Sequence, residues 1–335
     1  MRVEFNQVTI SGLVSIVVPC FNSERFLTET LESAFTQTYP HTEIIVIDDG
    51  STDRTPELIR HYGDRLRAEF GPNRGASAAR NRGTALASGE FIQYLDADDV
   101  LVPTAIERRV AALQAKDADV AYSDWEKLVE TEDGTYELGE PVAKRIEDLH
   151  PNPEIAILQF WSPPAALTYR RRIVERIGGW KEWLPIIQDA RFLNDAGLVG
   201  GTFVHVPGIG ARYRVHRGAS LSRSNAAAFV ADAFRNASDL QAIFESRGRL
   251  NQDERRFLAG IYDYAARSLF FQDKDAFCGC VARLYEVEPG FRPSWPKTAR
   301  LTSALVGFKA AGVVLTAFTE LSAVTRRLMR KPSQS

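Results

Sequence analysis

The feature that most constrains the fold is a unit repeated through the first hundred residues. A short β-branched run stops at a polar loop, and a helical stretch follows. "LVSIVVPC" (13–20) runs into "FNSE", "TEIIVIDDGS" (42–51) ends in two acids, and "EFIQYLDADD" (90–99) ends in three, Asp96, Asp98 and Asp99. Runs this short and this apolar read as strands buried on both faces. Between them, "SERFLTETLESAFTQ" (23–37) puts Leu27, Leu31, Ala34 and Phe35 on one helical face. "TPELIRHYG" (55–63) opens with Pro56 and closes with Gly63, the start and stop expected of a helix. "LRAEF" (66–70) is a short strand, and "GASAARNRGTALASG" (75–89) is an alanine-rich helix closed by Gly89. Strands separated by helices in this way imply a parallel sheet with right-handed crossovers. Ligands of such sheets bind beyond the carboxyl ends of the strands. That is where "CFNSE", "DDGSTD" and "DADD" fall.

Further on, the alternation loosens. "VPTAIERRVAALQA" (102–115) reads as an amphipathic helix, "DVAYSDW" (119–125) as a strand, and "KLVETEDGTYELGE" (127–140) as a hairpin turning at Asp133-Gly134. "RRIVERIG" (171–178) reads as a helix, and "GTFVHV" (201–206) and "GARYRVH" (210–216) as two strands. From about Asn225 the pattern is helical, with three amphipathic stretches at 227–248, 252–271 and 275–285. The division expected is an α/β domain over 1–222 and a helical region over 223–335.

With 335 residues, 44% hydrophobic and 25% charged, the chain is large and apolar enough for a globular core. A formal net charge of -2 argues against a nucleic-acid binder, which carries a basic excess. Three cysteines, Cys20, Cys278 and Cys280, cannot all pair with one another and lack metal-ligand spacing, which points to a reducing compartment. The early run "GLVSIVVPCF" is too short to span a membrane, and Glu4 without a basic leader argues against a signal peptide. "LTSALVGFKAAGVVLTAF" (301–318) is interrupted by Lys309. These readings give a cytoplasmic protein. The last stretch puts Phe318, Leu321 and Leu328 on one face, with Arg326, Arg327, Arg330 and Lys331 at its end. It reads either as a packed helix with a solvated tail or as a peripheral contact with anionic lipid at the inner membrane face. The helical region also leaves room for a homodimer.

Three acids at a strand end need something positive among them. A D-x-D turn presents the oxygen ligands that Mg²⁺ or Mn²⁺ prefers, with water and substrate phosphates completing the shell. The competing reading is a turn and a cap, Asp99 capping the helix that opens near Pro103. Asp49 suits hydrogen bonding to a base or ribose, and Phe21 suits stacking on a base. Arg74, Arg80 and Arg82 lie near a helix start, where phosphate is favoured. Arg80, in a run of small residues, is the one placed to point inward. Trp161, Trp180 and Trp183 suit either sugar stacking or the core.

Taken in order, "SIVVPCFNSERFLTETLESAFTQTYPHTEIIVIDDGSTDRT", "NRGASAARNRG", "SGEFIQYLDADD", "GGW", "QD" and "YRVH" resemble the successive motifs of the family 2 glycosyltransferases over about residues 13–220. The resemblance implies a GT-A fold, a nucleotide-sugar donor, a divalent metal (Mn²⁺ or Mg²⁺) and an inverting transfer to a glycan or lipid-linked acceptor. Carried over by position, Pro19, Phe21, Asn22, Glu24 and Asp49 would hold the nucleoside; Arg80, from its own placement near a helix start, is the donor-phosphate candidate. Asp96 would contact the donor ribose or sugar, Asp98 would bind the metal with His216 assisting, and Asp189 would be the base. Gln188 stands where many members have a second acid. Asp195 and Glu182 are rival bases. The glycine-rich loops of dinucleotide and P-loop sites are absent. Two alternatives are a non-catalytic sugar-nucleotide or glycan-binding module and a nucleotidyltransferase. The first predicts loss of a metal or base carboxylate, and the second a glycine-rich basic loop where "PCFNSE" stands.

Overall fold

The structure, a computed structural model, describes residues 5, 8–218, 226–269 and 273–291. It divides into two units, Met1–Ser224 and Asn225–Ser335. The basic stretch 318–335 and the apolar run 301–318 lie outside the described residues.

In the first unit the order is β1 (Ile10–Cys20), α1 (Leu27–Phe35), β2 (Thr42–Asp48), α2 (Thr55–His61), β3 (Arg67–Phe70), α3 (Ala76–Leu86) and β4 (Gly89–Tyr94). It continues with β5 (Val100–Leu101), α4 (Ala105–Lys116), β6 (Val120–Glu130), β7 (Tyr136–Val142), α5 (Pro153–Gln159), β8 (Leu167–Arg170), α6 (Arg171–Ile177), α7 (Gln188–Leu198) and β9 (Phe203–Val215). Among the described residues these strands form one sheet ordered β3-β2-β1-β4-β8-β6-β9-β5, with β7 paired to β6. The parallel order expected from the alternation holds from β3 through β4. Beyond β4 the sheet is mixed. β8 runs antiparallel to β4 and β6, β6 pairs parallel with β9, and β5 closes antiparallel on β9.

The period-2 burial of the central strands explains the layers. Val14, Ile16 and Val18 join Leu27 and Leu31 of α1 and Ile106 and Val110 of α4 on one face. On the other face Val17, Ile92 and Tyr94 join Phe192 of α7 and Trp180, while Ile45 and Ile47 meet Ala79 of α3. Gly83 lets α3 sit close on β1, because a Cβ there would collide with Val17 Cγ1.

Three expectations about elements are refined. The fourth strand ends at Tyr94, so Leu95–Asp99 is loop rather than strand. The two strands expected at 201–206 and 210–216 are one, β9, whose register against β6 shifts around Pro207 and Gly208. Gly208 has φ +91° and Pro207 cannot donate to the ladder, so the pair bulges out without ending the strand. "DVAYSDW" and the first arm of the hairpin likewise fuse into the single strand β6.

In the second unit, α8 (Ala226–Ser246), α9 (Gln252–Leu269) and α10 (Lys274–Val287) pack around Val230, Ala265, Ala266, Phe277, Cys280 and Val281. Cys280 is buried and Cys278 half-buried, and both are free thiols. Among the described residues, no helix is long and apolar enough to cross a membrane.

Candidate active site

The loop after β1 is tied to the loop after β2. Asn22 sits at φ 49°, in the left-handed region that Asn tolerates. Its Oδ1 accepts from Thr52 N–H (2.8 Å), and its own N–H donates to Ser51 Oγ (2.8 Å). Glu24 N–H donates to Asp53 Oδ2 and Glu24 Oε2 accepts from Arg54 N–H. Asn22 and Glu24 therefore brace two loops, and Phe21 beside them is 47% exposed. Pro19 lies in β1 opposite Ile47 of β2.

Asp49 is buried and accepts from the backbone N–H groups of Arg74 (2.9 Å) and Gly75 (2.7 Å). It thereby pulls the entry of α3 onto the end of β2. Gly50 turns the chain at φ +83°, and a Cβ there would lie 2.7 Å from Asn73 N. The three arginines separate as their surroundings dictate. Arg74 and Arg82 pair with Glu182 and Glu69 at partly exposed positions. Arg80 is buried, pairs with Asp96, and lies 4.4 Å over the Trp180 ring. Among the described residues, its buried Nε and Nη1 have no hydrogen-bond partner.

The "DADD" loop has two cationic partners. Arg80 meets Asp96. From β9, buried Arg214 donates its N–H to Asp99 Oδ1 (2.9 Å), its Nε–H to the Asp98 carbonyl (2.7 Å) and its Nη2 to Glu29 (2.5 Å). Asp99 does not cap α4, whose N-cap is Thr104 with no side-chain cap bond. It is fully buried, one oxygen has no hydrogen-bond partner among the described residues, and burial followed by the charges of Asp98 and Asp96 pushes its carboxyl well up. Asp98 is more open, and His216 Nε2 stands 3.6 Å from its Oδ2. Arg214 of β9 and His216, just past its end, both lie against the ring of Phe26.

Asp189 opens α7. Trp161 Nε1–H donates to its Oδ2 and Ala190 N–H to its Oδ1, both at 2.8 Å. Burial raises its carboxyl above the ordinary range; Arg80 opposes the shift and Asp96 adds to it. Tyr213 of β9 lies in the field of Asp99, Asp96, Asp98 and Asp189 together, and burial with those charges raises its hydroxyl strongly. The four acids, three from the loop after β4 and one from the first turn of α7 about ninety residues on, therefore share one locale. The rivals are engaged elsewhere. Asp195 is held by Arg191 (2.8 Å) and Lys181 (3.3 Å), and Glu182 by Arg74 and Asn81. Trp180 is core, stacked on Phe192 at 4.1 Å, whereas Trp183 is 43% exposed.

Sequence reading missed Arg214 as the organiser of the acidic loop and Trp161 as the partner of Asp189. "YRVH" carried a signal for the first, since a strand places its residues two apart on the same face. Nothing local signalled the second, because it joins positions 28 apart with β8 and α6 between them.

Residues 15–177 match the family described as Glycosyl transferase family 2. Among curated relatives, glycosyltransferase GlyG of Streptococcus pneumoniae serotype 4 is 37% identical over 131 residues, 38% of this chain and 44% of the relative. An uncharacterized glycosyltransferase of Nostoc sp. is 30% identical over 174 residues, 49% of this chain and 52% of the relative. The matches thus span about a third to a half of the length of the curated relatives. Among solved structures, S. aureus TarS 1–349 in complex with UDP-GlcNAc aligns with a TM-score of 0.66 at 18% identity, covering 92% of each chain. The fold is thus the GT-A type, a mixed α/β sheet flanked by helices. The α/β domain is similar to the family 2 glycosyltransferases over residues 15–177, and a helical C-terminal region follows it in the chain.

Proposed function

We propose that the protein is an inverting glycosyltransferase. It moves a sugar from a nucleoside-diphosphate sugar, by preference a UDP-sugar, to a hydroxyl of a glycan or lipid-linked acceptor in polysaccharide or glycoconjugate synthesis. The observation that carries this is the gathering of Asp96, Asp98, Asp99 and Asp189 around Tyr213 and Arg80 at the ends of the strands. The TarS structure that shares the fold holds UDP-GlcNAc, which supports UDP as the nucleotide.

In this reading the loops after β1 and β2 hold the nucleoside, through Pro19, Phe21, Asn22, Glu24 and Asp49. Asp96, oriented by Arg80, contacts the donor ribose or sugar. Asp98 and His216 fit a divalent cation. Two ligands of one ion at about 2.1 Å each stand ~3 Å apart when adjacent, and these atoms are 3.6 Å apart. A carboxylate oxygen and an imidazole nitrogen form a donor set that Mn²⁺ accepts. Among the described residues no three His, Cys, Asp or Glu side chains form a metal cage. Diphosphate oxygens and water would complete the shell. When bound, such an ion neutralises charge building on the diphosphate leaving group. Asp189 takes the proton of the attacking hydroxyl. Its raised carboxyl makes it a stronger base than an ordinary aspartate, whereas Asp195 and Glu182 are occupied by their ion pairs with Arg191, Lys181 and Arg74. Residues 1–222 form the catalytic domain in this proposal. The C-terminal helices are left to acceptor, membrane or a second subunit, and the protein works inside the cell.

A melting-temperature panel with UDP, GDP, dTDP and CMP, each with and without Mn²⁺, tests the reading. UDP with Mn²⁺ should give the largest rise, and Asp98→Ala should remove the Mn²⁺-dependent part. A panel in which no nucleotide shifts the melting point would contradict it. The binding-module alternative predicts the same nucleotide shifts with no UDP release from the sugar donor.

A further inference from the structure

We propose that Trp161 is a positioning residue for the base. Its indole N–H fixes Asp189 Oδ2, so that the carboxylate faces the incoming hydroxyl instead of turning onto Arg80. The inference deepens the base reading above and rests on it.

The indole is itself held in place from two sides. Its ring stands edge-on to Trp125 (5.5 Å, 88°) and to Tyr213 (5.7 Å, 85°), and those two stand edge-on to each other (5.9 Å). Downstream, Pro163 and Pro164 stiffen the segment, and its carbonyls are gripped by buried side chains. Gln93 Nε2–H donates to Pro164 O (3.0 Å), and Arg109 Nη1–H donates to Ala165 O (2.8 Å). Arg109 is fully buried, and its guanidinium donates to the carbonyls of Ala105 and Ala165. These bonds fix the 3₁₀ turn Pro164–Ala166 that follows Trp161, and Trp161 is the residue the segment presents to Asp189.

A hold is needed because Asp189 has an attractive wrong partner. Among the described residues the buried Arg80 Nε and Nη1 have no hydrogen-bond partner, and Arg80 already acts electrostatically on Asp189. A carboxylate released from the indole would swing toward that guanidinium and lose its reach for a proton. Oδ1 is bonded to Ala190 N–H on its own helix, which does not set the direction of Oδ2. The groups that face Asp189 are Arg80 from α3, Asp96 from the loop after β4, Trp161, and the hydroxyls of Tyr169 and Tyr213 from β8 and β9. In the reaction, the acceptor oxygen bonds the anomeric carbon as the bond from that carbon to the diphosphate oxygen breaks. The electron pair leaves with the diphosphate, and the hydroxyl proton passes to Asp189.

Trp161→Phe keeps a ring in the aromatic cluster but removes the indole N–H together with the second ring. Trp125→Phe disturbs the same cluster without touching Asp189. The Asp189 carboxyl is titrated by ¹³C NMR, assigned by its disappearance in Asp189→Asn, and UDP release from UDP-GlcNAc is measured against pH. Trp161→Phe should raise the carboxyl titration by about one pH unit, the equivalent of losing a hydrogen bond to a charged acceptor. The acidic limb of UDP release should move by the same amount. Trp125→Phe should leave the titration in place. A Trp161→Phe titration that coincides with wild type would overturn the proposal, as would an equal shift in Trp125→Phe. Undiminished UDP release by Asp189→Asn would remove the base reading itself, and the titration would then report a hold without a catalytic purpose.

Discussion

The Arg80–Asp96 pair gives the sharpest energetic test of how the site is built. Its side chains are 4% and 27% exposed, so the charge on Arg80 is almost wholly dependent on Asp96 and the face of Trp180. Stripping one partner from a buried pair costs about 3–5 kcal/mol, and the partial access of water to Asp96 lowers this to roughly 2–3 kcal/mol. Loss of the cation over Trp180 adds about 1 kcal/mol. Arg80→Met, which keeps the stem, should therefore cost ~3–4 kcal/mol. Asp96→Asn leaves a hydrogen-bonding oxygen and should cost ~1–2 kcal/mol. The double variant no longer strands either charge, and it should be more stable than the sum of the singles by about 1–2 kcal/mol. Urea unfolding followed by tryptophan fluorescence reads the first unit well, because four of the five tryptophans lie in it. Additive costs, with a coupling below about 0.5 kcal/mol, would refute the claim that these two side chains neutralise each other.

Other outcomes follow from the same contacts. Asp99→Asn should stabilise the protein at pH 7. The folded carboxyl is raised, so wild type gains stability from it only in the protonated form and loses that gain as pH rises from the ordinary carboxylate range through the folded value. The advantage of Asn should therefore shrink toward pH 4 in paired melts. Gly50→Ala should cost about 1–3 kcal/mol and weaken UDP binding several-fold, since it adds left-handed strain and a collision with Asn73 N to the turn that Asp49 closes. Calorimetry with UDP checks it.

The sequence made the first hundred residues plain. Each β-branched run was a strand, each polar stop a loop at the sheet edge, and Arg80, alone among three arginines, sat among small residues and is buried. Legibility fell where structure depends on distant partners. "GTFVHV" and "GARYRVH" looked like two strands because Pro207 and Gly208 punctuate them, yet pairing with β6 carries one strand through the interruption. Asp99 looked like a helix cap because a helix follows. Its actual donor, the Arg214 N–H, lies 115 positions away. The indole on Asp189 had no periodicity to announce it, since a loop held by Gln93 and Arg109 delivers it.

The central claim is that Asp189 takes the proton of the attacking hydroxyl while the donor is held elsewhere. The direct measurement compares UDP affinity and UDP release from UDP-GlcNAc, with Mn²⁺, in wild type and Asp189→Asn. Affinity should stay within a few-fold, while turnover should fall by about 10²-fold or more, the usual contribution of a general base. Turnover close to wild type at unchanged affinity would contradict the account.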